Sequence, residues 1–194
     1  MTLAVKVERP AGGTDITGFV GDSACAKKEA DWMMKLLPQG GMFIEVGTYN
    51  GATAAYMSLK RPDATILCVD SFPKERMDMQ HNTVGNIVHW MLNKLSNMDL
   101  FVGTLQELTK ITSPRFADLV FIDGDHRYDF VSRDLVSALH VGKGYILVHD
   151  YQRENLEDIK HAVDDFCKKH AWAVVKKVWT TVLLRPISEV RREP

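Results

Sequence analysis

Short apolar runs alternate with longer amphipathic segments along most of the chain. Most of these runs hold only three to five residues and are rich in Val, Ile, Leu and Phe. Continuous apolar runs of this length, bounded by Gly, Pro or Asp, are typical of strands buried on both faces. The pattern therefore predicts strands over residues 42–46, 65–69, 100–102, 119–122, 144–148, 172–175 and 180–184.

The amphipathic segments between these runs predict helices. In the first of them, Ala30, Met33 and Leu37 recur at helical spacing, and Asp22 or Ser23 can cap the helix start. The same reasoning predicts helices over about 24–37, 52–60, 76–96, 105–111, 128–140 and 154–170.

Alternating strands and helices predict an α/β protein with a single Rossmann-like, doubly wound sheet that is mostly parallel. Only a few residues separate the last two strands, so these are expected to form a C-terminal antiparallel hairpin. We expect one domain over residues 23–186, an N-terminal loop or lid over 1–22, and a polar tail over 187–194.

The composition narrows the classes of protein. Among the 194 residues, 24 Lys and Arg nearly balance 25 Asp and Glu, so the net charge of −1 gives no reason to expect nucleic-acid binding. The three widely spaced cysteines favour free thiols in a reducing compartment. The sequence shows neither a signal-peptide pattern nor an apolar run of about 18 residues, so we expect a soluble cytoplasmic protein without membrane contact.

Reactive side chains follow the predicted parallel strands, at the edge where open α/β sheets bind their ligands. Four of these five strands end in an acid or a His-Asp pair, and the other ends in Gly103. A single acid at a strand end is common, whereas the joint arrangement predicts a shared site. Its members are Glu45, Asp70, Gly103, Asp123, His149 and Asp150.

The loop after the first strand favours a nucleoside ligand. It contains Gly47 and Gly51 but is not G-x-G-x-x-G, because Glu45 occupies the first Gly position. A carboxylate there would repel a pyrophosphate and suit a cationic group such as an amine. Asp70 lies 23 residues after Gly47, where an acid accepts hydrogen bonds from ribose hydroxyls. A plain tight turn and a solvated Asp70 remain the alternatives.

The loops after the fourth and fifth strands favour a divalent metal. Neighbouring strands would place Asp123 and Asp150 close together, and a cation between the carboxylates relieves their repulsion. His149 would add a nitrogen ligand, or would instead cap a helix or pack in the crevice. His126 suits a general base near neutral pH, or would instead orient Asp123.

Five motifs together resemble the class I S-adenosylmethionine-dependent methyltransferases: IEVGTYNGAT, CVDS, FVGT, VFIDGDHRYDF and YILVHDY. More narrowly, they resemble the metal-dependent O-methyltransferases of the catechol and macrocin types. The resemblance covers roughly residues 24 to 184. His126 matches the base of the macrocin type, whereas His149 stands where those enzymes have a Glu ligand.

The resemblance implies a role for each motif. His126 would be the general base, and the metal ligands, for Mg²⁺ or Mn²⁺, would be Asp123, His149 and Asp150. The residues implied for binding S-adenosylmethionine are Glu45, Gly47, Tyr49, Gly51, Thr53, Asp70, Ser71, Gly103, Thr104, Gln106 and Asp123. The expected acceptor is a small-molecule hydroxyl on a sugar, polyol or phenol, and a homodimer is one arrangement the fold allows.

Three other functions stay open at this point. They are a metal-independent methyltransferase, a catalytically silent module that binds S-adenosylmethionine, and a nicotinamide dehydrogenase. Glu45 and the terminal hairpin count against the dehydrogenase, since a dinucleotide fold would be expected to continue its parallel crossovers.

Overall fold

A computed structural model describes residues 25, 27–49, 51–72 and 95–190. The strands in these ranges are β1 (Met42–Val46), β2 (Thr65–Asp70), β3 (Met98–Val102), β4 (Ala117–Ile122), β5 (Gly142–Val148), β6 (Trp172–Val178) and β7 (Thr181–Pro186). The helices are α1 (Lys27–Leu36), α2 (Ala52–Lys60), α3 (Leu105–Thr109), α4 (Tyr128–Val141), α5 (Glu157–His170) and α6 (Ile187–Val190).

The strands form one sheet in the order β3-β2-β1-β4-β5-β7-β6. β1 to β5 pair in parallel, while β7 lies antiparallel to both β5 and β6. The prediction of a mostly parallel sheet with a C-terminal antiparallel hairpin is therefore confirmed. The chain places β7 between β5 and β6, so β6 is an edge strand.

Helices cover the two faces of the sheet. Alternate β1 residues point to opposite faces, so Phe43 packs with α1 and α2 whereas Ile44 packs with α4 and α5. Both side chains have no exposed surface. This burial on both faces explains why β1 is a continuous apolar run apart from Glu45.

One arginine ties α1 to the chain that follows α2. The guanidinium of Arg61 donates hydrogen bonds to the carbonyl oxygens of Met34, Leu37 and Pro38, at 2.7–2.9 Å. The last carbonyls of a helix lack partners within it, so Arg61 supplies a partner for Met34 at the end of α1 and holds the two residues that follow the helix.

Some predicted boundaries differ from the structure. β3 begins at Met98, after a turn at residues 96–97 where the sequence predicts the end of a helix, and α5 begins at Glu157. The predicted polar tail starts with α6, and the Ile187 amide at its beginning donates to the Ala171 carbonyl at 2.9 Å. The predicted lid over 1–22 and most of the predicted helix over 76–96 lie outside the described residues. In the described ranges, no helix combines the length and apolar character needed to cross a membrane.

Candidate functional site

The loops at the carboxyl ends of β1, β3, β4 and β5 are held together by backbone hydrogen bonds. Each loop continues the sheet ladder by one donor beyond its strand, which fixes the loops relative to one another. The donors and acceptors are Gly47 to Val69 (2.9 Å), Gly103 to Asp70 (2.9 Å), Asp123 to Val46 (2.8 Å) and His149 to Ile122 (3.0 Å).

The loop after β1 passes very close to the loop after β4. Gly47 has φ +85°, and a Cβ atom there would lie 2.3 Å from both the Asp123 carbonyl oxygen and Gly124 Cα. Only glycine fits this approach and this backbone conformation. Gly51, with φ +78°, is the N-cap residue before α2, whose first residues Ala52 and Thr53 are buried.

Glu45 presents a buried carboxylate at the end of β1. Its side chain is 2% exposed, and Oε2 has no hydrogen-bond partner among the described residues. Burial, together with the charges of Asp123 and Asp70, holds the pKa of Glu45 well above its usual range. A cationic group bound beside Oε2 would supply the missing partner, so Glu45 suits the amino group of the predicted cofactor.

Asp70 organises the neighbouring loops. Oδ2 accepts the Tyr49 amide at 3.0 Å, and Oδ1 accepts the Phe72 amide at 2.8 Å. Tyr49 and Phe72 adopt the left-handed backbone region, with φ 53° and 43°, so these bonds stabilise conformations that cost free energy in non-glycine residues. Each carboxylate oxygen keeps a lone pair, and Asp70 thereby fits the predicted contact with ribose hydroxyls.

The remaining predicted cofactor residues lie around these loops. Ser71 follows Asp70 and is exposed, and Gln106 is exposed on α3. The Thr104 hydroxyl caps α3 by accepting the Glu107 amide at 3.2 Å, while the Glu107 carboxylate accepts the Thr104 amide at 2.8 Å. A cofactor that contacts the Thr104 hydroxyl would therefore bind a group that already takes part in this capping box.

Asp123, His126 and Asp150 converge at the same edge. One ligand atom from each lies within 4.8 Å of the others, and His126 Nε2 lies 3.7 Å from Asp150 Oδ2. The Asp150 side chain is 4% exposed and that of His126 is 41% exposed. The two carboxylate oxygens suit a divalent cation such as Mg²⁺ or Mn²⁺, and His126 would serve either as a nitrogen ligand or as a base beside the metal. The donor set therefore fits the predicted metal.

His149 lies beside this group, and both its ring nitrogens face carboxylates. Nδ1 lies 3.0 Å from Asp123 Oδ1, and Nε2 lies 3.4 Å from Glu29 Oε2. Burial alone would lower the pKa of His149, but the hydrogen bonds with Asp123 and Glu29 outweigh it and raise the pKa to about 10. The raised pKa favours the imidazolium form, which offers no lone pair to a metal, and the role of His149 as a metal ligand stays a prediction.

The sequence reasoning missed Glu29 and Thr180, which contact His149 from α1 and from the turn between β6 and β7. Thr180 carries no local signal. Glu29 does carry one, because it lies four residues before Met33 and next to Ala30, within the apolar stripe of α1. An acid in the apolar stripe of a helix is uncommon unless it has a hydrogen-bonding or charged partner in the protein interior.

A family model for a methyltransferase domain matches residues 44–151. This range runs from β1 to the loop after β5 and contains most of the residues described above. A curated relative, the uncharacterized protein R132 of Acanthamoeba polyphaga mimivirus, is 28% identical over 120 residues. The match covers 57% of this chain and 51% of that protein, so the chain spans about half the length of this relative.

Solved structures share the fold. The O-methyltransferase NovP is 19% identical with a TM-score of 0.57, over 82% of this chain and 79% of NovP. A candidate rRNA methylase from Clostridium thermocellum is 18% identical with a TM-score of 0.56, over 81% of this chain and 93% of that chain. At these identities the likeness establishes the fold and leaves the methyl acceptor open.

Proposed function

Because the chain belongs to the methyltransferase-domain family and has the class I S-adenosylmethionine-dependent fold, we propose that it methylates a small-molecule hydroxyl with the help of a divalent metal. The observation that carries this proposal is the convergence of Asp123, His126 and Asp150. These residues adjoin the loop of Gly47, which passes directly over the Asp123 backbone.

The loops after β1 and β2 would hold the cofactor. Glu45 would pair with its amino group, and Asp70 would accept hydrogen bonds from its ribose hydroxyls. S-adenosylmethionine supplies a methyl group already activated on a sulfonium centre. The rigid loops at the sheet edge then contribute mainly by aligning the acceptor oxygen with that methyl group.

The acceptor hydroxyl must lose its proton to become a good nucleophile. Asp123 and Asp150 would hold a divalent metal, which lowers the pKa of a bound hydroxyl. His126 lies beside Asp150 and is the most exposed member of the group, so its Nε2 can take the proton and pass it to solvent.

Metal-independent methyl transfer is the second candidate, favoured by a separate observation. Both acids already have cationic neighbours, since His149 Nδ1 lies 3.0 Å from Asp123 and Arg153 Nη1 lies 2.9 Å from Asp150. These contacts lessen the repulsion that a metal would otherwise relieve.

The test measures methyl transfer from radiolabelled S-adenosylmethionine by the chain stripped with EDTA, before and after adding Mg²⁺ or Mn²⁺. The acceptor panel holds sugars with vicinal hydroxyls, polyols, catechols and a structured RNA. The RNA is included because the similar Clostridium protein is a candidate rRNA methylase. Asp150→Asn is compared with Glu154→Gln, which changes an exposed acid in the same loop.

We expect transfer to a small hydroxyl that EDTA abolishes, that Mg²⁺ or Mn²⁺ restores, and that Asp150→Asn alone impairs. A rate of methyl transfer that EDTA does not lower would favour the metal-independent candidate. Transfer to RNA alone would contradict a small-molecule acceptor. Binding of S-adenosylhomocysteine without turnover on any acceptor would favour a silent cofactor-binding module.

A further inference from the structure

Glu29 is a buried acid that joins two distant parts of the chain. It lies on α1 with 1% of its surface exposed. Its Oε1 accepts hydrogen bonds from the amide and hydroxyl of Thr181, at 3.0 and 2.8 Å, and from the amide and hydroxyl of Thr180, both at 3.2 Å. One carboxylate oxygen therefore fixes the β6–β7 turn against α1.

The other oxygen of Glu29 faces the candidate site. Oε2 lies 3.4 Å from His149 Nε2, and on the far side of the ring Nδ1 lies 3.0 Å from Asp123 Oδ1. Phe121 packs edge-on against the imidazole with ring centroids 5.9 Å apart, and the Thr180 hydroxyl lies 3.3 Å from Nε2. Nδ1 also lies 3.5 Å from Asp150 Oδ1, so both ring nitrogens have polar neighbours that limit rotation of the imidazole.

This geometry orients Asp123. With Oδ1 engaged by His149, the carboxylate has a preferred rotation, and Oδ2 is left as the oxygen for a ligand. A side chain held in this way loses less conformational entropy when it binds a cation. Groups that orient metal-binding side chains from behind affect metal affinity strongly even though they never touch the metal.

We propose that Glu29 is a positioning residue that, through His149, holds Asp123 in the orientation required by the group of Asp123, His126 and Asp150. The inference rests on the proposed function of that group. The route from Glu29 to Asp123 passes through the imidazole of His149, which lies between the two carboxylates.

A purely structural role is the rival explanation, because the bonds to Thr180 and Thr181 would stabilise the fold even if the site did not need them. Glu29→Gln separates the two roles. Glutamine keeps the length of the side chain and an oxygen for both threonines, but it removes the negative charge that faces His149 Nε2.

The matched control is Asp31→Asn. Asp31 lies two residues further along α1, and its carboxylate also accepts side-chain hydrogen bonds, from Tyr56 and Lys27, both at 2.6 Å. These contacts lie away from His149. The control therefore reports what the loss of a hydrogen-bonded charge on α1 does by itself.

The experiment measures Mn²⁺ affinity by electron paramagnetic resonance in the presence of S-adenosylhomocysteine. The melting temperature and the S-adenosylhomocysteine affinity are recorded for the same proteins. We expect Glu29→Gln to weaken Mn²⁺ binding by about tenfold or more while leaving S-adenosylhomocysteine affinity within about twofold. Asp31→Asn should leave both affinities unchanged. A fall in melting temperature with unaltered Mn²⁺ affinity would overturn the proposal.

A second readout does not depend on metal. In protein labelled with ¹⁵N-histidine, the Nδ1–H proton of His149 should resonate at low field because it is hydrogen-bonded to Asp123, and Glu29→Gln should shift or broaden it. If the wild type binds no Mn²⁺, the metal-assisted function fails, and this resonance alone decides the role of Glu29. An unshifted resonance would then overturn it.

Thr180→Val serves if Glu29→Gln does not fold. It removes the hydroxyl that contacts both Glu29 and His149 but keeps the amide that donates to Glu29. We expect a smaller loss of Mn²⁺ affinity, about threefold, and a shift of the same resonance. Wild-type values for both readouts would count against the proposal.

Discussion

A Cβ atom on Gly47 would lie 2.3 Å from the carbonyl oxygen of Asp123. The backbone of the loop after β1 therefore rests directly on the backbone of the loop after β4. The predicted cofactor loop and the group of Asp123, His126 and Asp150 thus lie at the same edge of the sheet. Disturbing this contact should affect both halves of the site.

Gly47→Ala tests the contact, with Gly40→Ala as its control. Gly40 also has a positive φ, of +66°, but a Cβ atom there would meet nothing within 4 Å. Gly40→Ala should cost about 1–2 kcal/mol of unfolding free energy through backbone conformation alone. Gly47→Ala should cost about 2 kcal/mol more, because backbone must move, and should abolish S-adenosylhomocysteine binding. Equal losses in urea unfolding would contradict the packing argument.

Asp70→Asn should weaken S-adenosylhomocysteine binding by about tenfold or more. The amide group of asparagine would oppose the Tyr49 or Phe72 amide, which now donates to a carboxylate oxygen, and the negative charge would be lost. Calorimetric titration provides the measurement. Asp99→Asn, at an exposed position on the adjacent strand β3, should bind like the wild type; similar affinity in both variants would remove Asp70 from the cofactor site.

His126→Gln should lower kcat by about 10²- to 10⁴-fold at neutral pH if His126 is the general base. S-adenosylhomocysteine affinity should not change. His161→Gln, an exposed histidine on α5, provides the matched substitution away from the group. Because His126 Nε2 lies 3.7 Å from Asp150 Oδ2, both atoms could bind one metal ion, so Mn²⁺ affinity is measured alongside. A parallel loss of Mn²⁺ binding would assign His126 to the metal instead.

Asp134 on α4 should make stability depend on pH. Burial and the nearby Asp125 charge raise the pKa of Asp134 to about 7, although Arg133 acts in the opposite direction. An unfolded aspartate titrates near about 3.9, so the folded state binds the extra proton between these values and stability falls as the pH rises through them.

Asp134→Asn removes this penalty. Compared with the wild type, the variant should gain about 1–3 kcal/mol in urea unfolding at pH 8 and almost nothing at about pH 3, below the unfolded pKa, where Asp134 is mostly protonated in both states. Asp129→Asn, an exposed change on the same helix, should show no such pH-dependent gain. A constant difference across the range would show that burial of the charge is not the cause.

Local patterns predicted the fold well because the relevant information is local. The apolar run of β1 reports burial on both faces, and the short spacing between β6 and β7 forces a hairpin. The acids Asp70, Asp123 and Asp150 could be placed at one edge because parallel strands end together. Nothing in either strand, however, states that β7 lies between β5 and β6, since that depends on which edge accepts the hairpin.

The partners of His149 could not be predicted in the same way. Glu29 and Thr181 are 152 residues apart in sequence, and no periodicity relates them. The sequence offered His149 as a metal ligand, a helix cap or a residue packed in the crevice, and it gave no sign that Glu29 and Asp123 would lie on either side of the ring. The neighbours of such a side chain come from residues distant in sequence, and tertiary packing decides which of those residues contact it.

The contact between Glu29 and the β6–β7 turn also has a kinetic consequence. Joining residues so far apart closes a very long loop, and the entropy of that closure must be offset before the contact contributes. Domains whose contacts have high sequence separation fold more slowly than those with local contacts. In a chain emerging from the ribosome, His149 can meet Thr180, and Glu29 can meet both threonines, only after the hairpin has been synthesised and has docked. The completed site thus reports that the whole domain, from its first helix to its last strand, has folded.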